Sequence, residues 1–465
     1  MVTSFSPTPA VPSFLHAAIC FGGVITIISF GLFYLAIDLH SLMFVCLLWM
    51  GVNSKLLGHG FTEIRQMMSG AINQALPAIY IFILIGMVIS SFMNAGTIAS
   101  LVYYGLELLS PSIFLAAGLV LCSFMSVATG TAWGTAGTIG VVLIGIGGAM
   151  GLPLALVAGV VVSGATFGDK LSPISDTTNL AAMSSGTDLY RHIRSMLYTT
   201  IPTFLIMLVI LLVLGNVYEA RSPPVTDIES IQIALSGAYQ LNPLVTLLPL
   251  ALMLFLSIRR VPAEITMSAS ILLATVIAIL FQGEGVATVL NNLWLNSPGN
   301  TGIVSLDDLL GRGGVSSMAS TLLLALMALA LGGILHQSGI LNQLLSGLIK
   351  RVKRLSGLIA MTIFSGFLGN MAMGEAYISI ILNCQLFKPH FEAMDLDNAV
   401  LSRSVEEGAT LTTGLIPWTT AGAFYSATLG VSVLDYAPFA LFNYLNAFVS
   451  VAMVSLGFGL LKAKS

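Results

Sequence analysis

The chain contains a charged stretch, Gly164-Ala165-Thr166-Phe167-Gly168-Asp169-Lys170-Leu171-Ser172-Pro173-Ile174-Ser175-Asp176-Thr177-Thr178-Asn179, inside an otherwise apolar sequence. The preceding residues, 108–162, include no Asp, Glu, Lys or Arg. Ionisable residues beside such a run are costly unless they serve an ion or substrate path. Pro173 and its small polar neighbours also favour a helix break, and exposed backbone at membrane depth is tolerated only where it is buried in protein or lines a cavity. The stretch therefore predicts a binding site for a small ion or polar solute.

The composition is that of a helical protein with many membrane spans. Of 465 residues, 56% are hydrophobic and only 8% are charged, whereas soluble domains carry about a quarter charged residues. The formal net charge is −3 and no basic stripe is present, so nucleic acid is excluded as a partner. The four cysteines have neither the spacing of a zinc site nor that of a disulfide framework. The predicted fold class is all-α, embedded in the lipid bilayer.

Apolar runs long enough to cross a bilayer recur along the chain. A span needs about 20 apolar residues. Three runs, 41–53, 153–167 and 376–387, are short, which favours half-helices or re-entrant segments there. The full set of candidates is 15–37, 41–53, 72–93, 111–129, 132–150, 153–167, 195–215, 242–258, 263–282, 316–336, 355–372, 376–387 and 436–461.

Lys and Arg between the spans predict the orientation, because they are concentrated in cytoplasmic loops. The acid-rich segments 216–241 and 283–308 are expected outside, and both termini inside. The positive residues assigned to the cytoplasm are Lys55, Arg65, Arg191, Arg194, Arg259, Arg260, the cluster 350–354, Lys462 and Lys464.

The chain also repeats itself after 244 positions. At this shift Gly164-Ala165-Thr166 coincides with Gly408-Ala409-Thr410, and Pro173 with Pro417. Shorter matches pair Ala128 with Ala372, Gly130 with Gly374 and Leu171 with Leu415, and a shift of 243 pairs Gly70 with Gly313 and Gly96 with Gly339.

The charge map gives the two halves opposite orientations, which predicts inverted repeats with the site between them, a transporter architecture. The expected division is an N-terminal tail at 1–14, a first repeat at 15–215, an extracytoplasmic connection at 216–241, a second repeat at 242–461 and a cytoplasmic tail at 462–465.

Four polar segments, two in each half, carry the candidate site. They lie at 126–135, 164–179, 370–375 and 406–420, and they contain hydroxyls and carboxylates but no His or Cys. Sodium is a hard cation that should prefer such oxygen ligands, and the lack of His and Cys argues against a transition metal. Asp169 and Asp176 are the candidate sodium ligands. The complete set of predicted binding residues is Thr129, Thr131, Asp169, Ser172, Ser175, Asp176, Thr177, Glu375, Glu407 and Thr410.

Several of these residues have alternative interpretations. Asp169 could form a local pair with Lys170, and Asp176 could cap a helix, since Asp is a favourable N-cap. Lys170 is either a fixed cation that competes with sodium or an interfacial anchor. Glu375 stands alone among apolar residues and is expected to handle the proton. Glu407 is preferred over Glu406 as a ligand because it adjoins Gly408.

The segment Gly168–Ala181 resembles the signature of the NhaC-type Na+/H+ antiporter family, and the segments Ala128–Thr135 and Glu407–Leu411 fit the family pattern. The resemblance implies two inverted repeats with broken helices and re-entrant hairpins, in a bacterial inner membrane. It also implies exchange of sodium for protons. By this resemblance Thr129, Thr131, Asp169, Asp176 and Thr177 carry the site. Relatives that exchange malate for lactate with sodium and protons share the motif.

Three functions follow from the sequence. A Na+/H+ antiporter is the leading hypothesis, with sodium as the transported ion and no cofactor. Exchange of small organic anions is the alternative, for which Lys170 and Arg403 are the only cations near the polar segments. An intramembrane enzyme would need catalytic pairs that the segments do not contain, so no enzymatic activity is expected. A homodimer is kept as a candidate assembly.

Overall fold

The structure is a computed structural model that describes residues 10–108, 110–219, 225–349 and 354–461. Every regular element within these ranges is helical, which confirms the predicted all-α class. Residues 1–9 of the predicted N-terminal tail, the whole predicted C-terminal tail at 462–465 and the basic residues at 350–353 lie outside the described residues.

Twenty-five α-helices follow one another along the described ranges. Those up to the middle of the chain are α1 Phe14–Phe33, α2 Leu39–Leu56, α3 Phe61–Gln74, α4 Leu76–Asn94, α5 Thr97–Leu108, α6 Pro111–Thr129, α7 Ala132–Thr135, α8 Val141–Ala149, α9 Leu154–Leu171, α10 Asp176–Ser185 and α11 Leu189–Glu219, with a π-helical turn at Ala136–Gly140 that joins α7 to α8. The others are α12 Val225–Ala238, α13 Pro243–Thr246, α14 Leu248–Ile258, α15 Ala263–Leu280, α16 Val286–Trp294, α17 Val304–Leu310, α18 Val315–Gln337, α19 Ile340–Ile349, α20 Leu355–Met373, α21 Ala376–Ala393, α22 Asn398–Thr413, α23 Thr420–Leu429, α24 Val433–Tyr436 and α25 Leu441–Ser455.

Many of these helices suit a bilayer. Nine in the described ranges are long and apolar enough to cross it, or twelve when three bent helix pairs each count as one span. Large apolar side chains such as Phe124 and Phe448 are exposed on the outside of the bundle, where lipid rather than water is their natural environment. The chain is a multi-pass membrane protein.

The three short apolar runs lie in longer helices, and two of these helices, α2 and α9, are long and apolar enough to be candidate spans. The runs belong to α2, α9 and α21, which have 18 residues each. A helix of that length rises about 27 Å, close to the hydrocarbon thickness of about 30 Å. The apolar runs underestimate the lengths of these helices, because polar residues extend them. Examples are Asp169 and Lys170 at the end of α9 and Lys388 within α21.

The repeat at 244 positions holds in the secondary structure. Helices α6 and α20 begin and end at equivalent residues, as do α10 and α23, and α9 and α22 begin at equivalent residues. The packing repeats too: Ser126 Oγ of α6 donates to the carbonyl of Ala165 in α9 at 2.6 Å, and Asn370 Nδ2 of α20 donates to that of Ala409 in α22. The two halves therefore have equivalent helices around the breaks and an equivalent contact between two of them.

Each half breaks its helices at equivalent places. Gly130 and Gly374 end α6 and α20 in the left-handed region, at φ 71° and 66°, which glycine adopts without the steric cost of a Cβ. The second breaks, 172–175 and 414–419, contain Pro173 and Pro417. Continuity across Pro173 was not expected, and α9 ends before it.

One predicted glycine match does not hold in the structure, and the predicted connection between the halves is helical where it is described. Gly70 lies inside α3, whereas Gly313 precedes α18 with φ 97°, so these two glycines are not equivalent. The segment 216–241 contains the end of α11 and the whole of α12. The division at that segment stays a prediction.

Candidate functional site

The helix breaks of both halves surround one cavity of about 650 Å³. Polar residues from all four predicted segments line it, together with residues of α3, α4, α15 and α18. The polar lining residues are Gln74, Thr131, Thr166, Asp169, Asp176, Thr177, Glu264, Glu375, Tyr377, Thr410, Thr413 and Thr420.

The new helix that follows each break begins with a side-chain cap. Thr131 Oγ1 accepts from the Gly134 amide at 3.2 Å at the start of α7. At the equivalent position Glu375 caps α21, and its Oε1 accepts from the Ala376 amide at 2.9 Å. The helix N-terminus carries partial positive charge, so a hydroxyl and a carboxylate satisfy the same backbone need in the two halves.

Asp169 lies next to a buried ammonium group. Lys170 Nζ is 2.9 Å from Asp169 Oδ2 and donates to Thr177 Oγ1 at 2.6 Å. Lys170 has no exposed surface, although Asp169 still reaches the cavity. The predicted local pair therefore exists, and the interpretation of Lys170 as an interfacial anchor is wrong, because its chain runs inward between α9, α10 and α22.

Asp176 has a different setting. Ser175, not Asp176, is the N-cap of α10 and accepts from the Thr178 amide at 3.4 Å. Asp176 is the first helical residue, is exposed in the cavity, and accepts from the Thr177 amide at 2.7 Å and from the Tyr377 hydroxyl. Its carboxylate is held from both halves of the chain, since Tyr377 belongs to α21.

Glu375 faces the cavity from the second half. Its Oε2 accepts from Thr420 Oγ1 at 2.6 Å, and Thr420 is the residue equivalent to Asp176. Two further threonines of α22, Thr410 and Thr413, line the cavity with buried hydroxyls that have no protein partner. Buried polar groups are normally hydrogen-bonded, so these hydroxyls are available to a bound ion or solute.

Four of the predicted binding residues do not line the cavity: Thr129, Ser172, Ser175 and, as described below, Glu407. Thr129 donates to the Met125 carbonyl at 2.9 Å and Ser172 to that of Val127 at 2.8 Å. Ser175 is used as the cap of α10. These three hydroxyls serve the backbone that shapes the breaks, which is a common use of Ser and Thr at helix ends.

The preference for Glu407 over Glu406 disagrees with the structure. Glu407 accepts from Thr199 Oγ1 of α11 at 2.6 Å and lies 3.9 Å from Arg403, away from the cavity. Glu406 instead accepts from Lys170 Nζ at 2.9 Å. Because Glu406 and Glu407 are consecutive residues of α22, they point to different sides of the helix, and it is Glu406 that faces Lys170.

His192 is a neighbour of Glu406 that none of the four polar segments contains. It lies in α11 without exposed surface, and its Nε2 is 2.6 Å from Glu406 Oε2. Its Nδ1 is 2.7 Å from Ser402 Oγ. This contact could not be predicted from local sequence, because His192 and Glu406 are more than two hundred positions apart.

The cavity is acidic and has an aromatic wall. Asp169, Asp176, Glu264 and Glu375 line it, and none of its lining residues is Lys or Arg. No cluster of three His, Cys, Asp or Glu suited to a metal ion occurs in the part of the chain that the structure describes. The lining residue Trp133 stacks on Phe424 at 4.7 Å, and Phe82 packs edge-on to both rings behind it.

A multi-pass helical protein whose broken helices from two similar halves enclose a polar cavity has the architecture of a secondary transporter. The sequence profile of the Na+/H+ antiporter family matches residues 2–178 and 164–458. The chain belongs to this family, as the resemblance of its motifs predicted.

Similar proteins cover nearly the whole chain. The Na(+)/H(+) antiporter NhaC of Alkalihalophilus pseudofirmus is 37% identical over 448 residues, 96% of each chain. The malate-2H(+)/Na(+)-lactate antiporter of Bacillus subtilis is 36% identical over 383 residues, 82% of each chain. The arginine/ornithine antiporter ArcD of Halobacterium salinarum is 34% identical over 446 residues, 95% of this chain and 92% of the relative.

Proposed function

We propose that this protein exchanges sodium for protons across the bacterial inner membrane. The observation that carries the proposal is the Asp169 carboxylate, which faces the cavity while the Lys170 ammonium lies 2.9 Å away. Sodium would replace Lys170 as the cation partner of this carboxylate. The relatives named as Na(+)/H(+) antiporters support the choice of cargo.

The exchange follows from competition for the same oxygens. Sodium entering the cavity would meet the carboxylates of Asp169 and Asp176 and the free hydroxyls of Thr410 and Thr413. Protons would bind the same carboxylates or Glu375, so that sodium and protons exclude one another. Thr131 and Thr177 complete the oxygen-rich lining.

The proposed orientation places the open side of the cavity in the cytoplasm. Exposed lining residues Gln74 and Glu264 lie close in sequence to Arg65 and to Arg259-Arg260, which the positive-inside rule assigns to the cytoplasm. Two inverted repeats, divided at 216–241, would let the cavity face either side in turn. Both termini are assigned to the cytoplasm, and a homodimer remains a candidate assembly.

A second candidate function is exchange of a small organic cation. The cavity of about 650 Å³ is far larger than one hydrated ion requires, since a water molecule occupies about 30 Å³. Its carboxylates and aromatic wall suit an amine better than a free organic anion, because Arg403 lies against Glu407 away from the cavity. The relative named as an arginine/ornithine antiporter supports this alternative.

The deciding experiment is transport in proteoliposomes loaded with a pH-sensitive dye. Internal pH is recorded after external addition of sodium alone, and then with malate, lactate, arginine or ornithine. Sodium alone should alkalinise the lumen by driving proton exit. An absolute requirement for a carboxylate or an amine would assign the protein to organic exchange instead.

A further inference from the structure

Lys170 is held by three acceptors at once. An ammonium group has three N–H donors, and Nζ lies 2.6 Å from Thr177 Oγ1, 2.9 Å from Glu406 Oε1 and 2.9 Å from Asp169 Oδ2. Lys170 and Glu406 have no exposed surface. Of the two carboxylates, only that of Asp169 lines the cavity.

The two carboxylates thus have unequal positions around one cation. Asp169 can be reached by an ion from the cavity, whereas Glu406 is sealed behind Lys170. If sodium takes Asp169, Lys170 keeps Glu406 as its counter-charge, and no charge is left unpaired in the protein interior, where an unpaired charge is strongly destabilising. Without Glu406, sodium would have to remove the only carboxylate that Lys170 has.

Glu406 is itself held in place from other helices. Its Oε1 accepts from Thr178 Oγ1 of α10 at 3.2 Å, and its Oε2 lies 2.6 Å from His192 Nε2 of α11. Ser402, one turn earlier on α22, contacts the other ring nitrogen of His192 at 2.7 Å. Groups fixed in this way keep their geometry when a neighbour moves.

We propose that Glu406 is a positioning residue that retains the Lys170 ammonium while the transported sodium occupies Asp169. The inference rests on the proposed sodium exchange and adds to it a residue that never touches the ion. It makes Lys170 a movable internal cation with two alternative partners, one exposed to the cavity and one not.

The chain supplies a matched control in the adjacent residue. Glu407 is equally buried, but it accepts a hydrogen bond from Thr199 and forms a 3.9 Å ion pair with Arg403, and none of these three residues lines the cavity. Glu406→Gln and Glu407→Gln remove the same charge from consecutive positions of one helix. A loss that follows from a merely weakened fold should appear in both variants.

The test measures the sodium dependence of proton movement in proteoliposomes at fixed pH for the wild type, Glu406→Gln, Glu407→Gln and the double variant Lys170→Gln/Glu406→Gln. The apparent KM for sodium should rise about tenfold or more in Glu406→Gln, the change that corresponds to about 1.4 kcal/mol. It should stay within about threefold in Glu407→Gln. In the double variant the KM should fall back toward the wild-type value, because the competing cation is gone; such a non-additive result is the sign of direct coupling.

A second readout separates the possible failures. Sodium-dependent thermal stabilisation of the purified protein in detergent reports binding without transport. A wild type that neither exchanges nor is stabilised by sodium overturns the proposed function and this inference together. In an active wild type, an unchanged KM in Glu406→Gln, or no recovery in the double variant, overturns the inference alone. If Glu406→Gln does not fold, Glu406→Asp should show a smaller rise that Lys170→Gln again reverses.

Discussion

Thr131 and Glu375 occupy equivalent positions but have different chemistry. Both are N-caps with almost the same backbone angles, φ −145° and −146°. Both also line the cavity. The neutral hydroxyl and the carboxylate give the two half-sites different affinities for a proton, although the backbone around them is the same. At the second break the arrangement is reversed: the first half has the carboxylate, Asp176, and the second half has the hydroxyl, Thr420.

Asp176→Asn should abolish sodium-driven proton movement, with a loss of about tenfold or more. The amide keeps the shape of the carboxylate and its contact with Tyr377, but it removes the charge that both ions need. The measurement is dye-reported internal pH in proteoliposomes. Asp435→Asn removes an exposed acidic residue outside the cavity lining and is the control. Near-wild-type exchange in Asp176→Asn would leave Asp176 with a structural role only.

Glu375→Gln should disturb proton coupling more than sodium binding. The amide oxygen can still accept from the Ala376 backbone, so loss of the cap should cost no more than about 1 kcal/mol. The group that can take up a proton is lost. Exchange rates across a pH series, compared with the sodium KM in the same vesicles, measure the two effects separately. A pH profile that superimposes on the wild type would contradict the assignment of the proton to Glu375.

Among single residues, the sequence indicated which carboxylates line the cavity more accurately than which hydroxyls do. Asp169, Asp176 and Glu375 stood out because a carboxylate inside an apolar run requires a reason, and all three line the cavity. Ser172 and Thr129 could not be separated from Thr410, because a hydroxyl looks the same whether it binds backbone or faces the cavity. Glu406 and His192 depend on a contact between distant parts of the chain.

At the scale of elements, the fold depends on close helix contacts beside the breaks. Gly168 of α9 lies against α6 so tightly that an added Cβ would be 2.3 Å from the Ser123 carbonyl oxygen. In the other half, Gly408 of α22 has the same distance to the Ile363 carbonyl of α20. These contacts fix the position from which Asp169 and Thr410 reach the cavity.

Gly168→Ala should lower the thermal stability of the detergent-purified protein, because overpacking a helix contact costs about 1–3 kcal/mol. Exchange should fall as well, since Asp169 is the next residue. Gly51→Ala is the control: no atom outside its own helix lies within 4 Å of the added Cβ. Thermal unfolding followed by fluorescence compares them. Equal melting temperatures would show that α6 and α9 can separate without cost.

The sequence anticipated the helix breaks more accurately than the helix lengths. Pro173, Pro417, Gly130 and Gly374 marked breaks because proline and left-handed glycine act on the backbone directly. Lengths were estimated from hydropathy, and α21 continues past its apolar run to Ala393 through Lys388, His390 and Glu392, which are not buried, because polar residues also accept a helical backbone. Local signals therefore predicted the helix breaks, while hydropathy alone underestimated how far helices such as α21 extend.

At the scale of the whole molecule, the cavity has exposed lining residues and a lining ring, Trp133, that packs into an aromatic cluster. Trp133, Phe424 and Phe82 come from α7, α23 and α4 and pack against one another. The exposed residues Gln74 and Glu264 lie at the cavity opening. If the proposed orientation is correct, this structure presents its site to the cytoplasm.

A cysteine at Gln74 should react with a membrane-impermeant maleimide in inside-out vesicles and not in right-side-out vesicles. Asn300→Cys, in a segment assigned to the outside and exposed in the structure, should react in the opposite way. The four native cysteines are buried, which keeps background labelling low. Labelling of both positions from the same side would reverse or abolish the proposed topology.

The different chemistry of Thr131 and Glu375 has a consequence for the kinetics of the cycle. If the halves are inverted, ions arriving from opposite sides meet different groups first, so the half-saturating sodium concentrations need not be equal on the two faces. Thermodynamic reciprocity still fixes the end point, because binding free energies summed around a closed cycle must cancel. A transporter of this kind would run faster in one direction under matched gradients and yet stop at the same ratio of sodium to protons from either side.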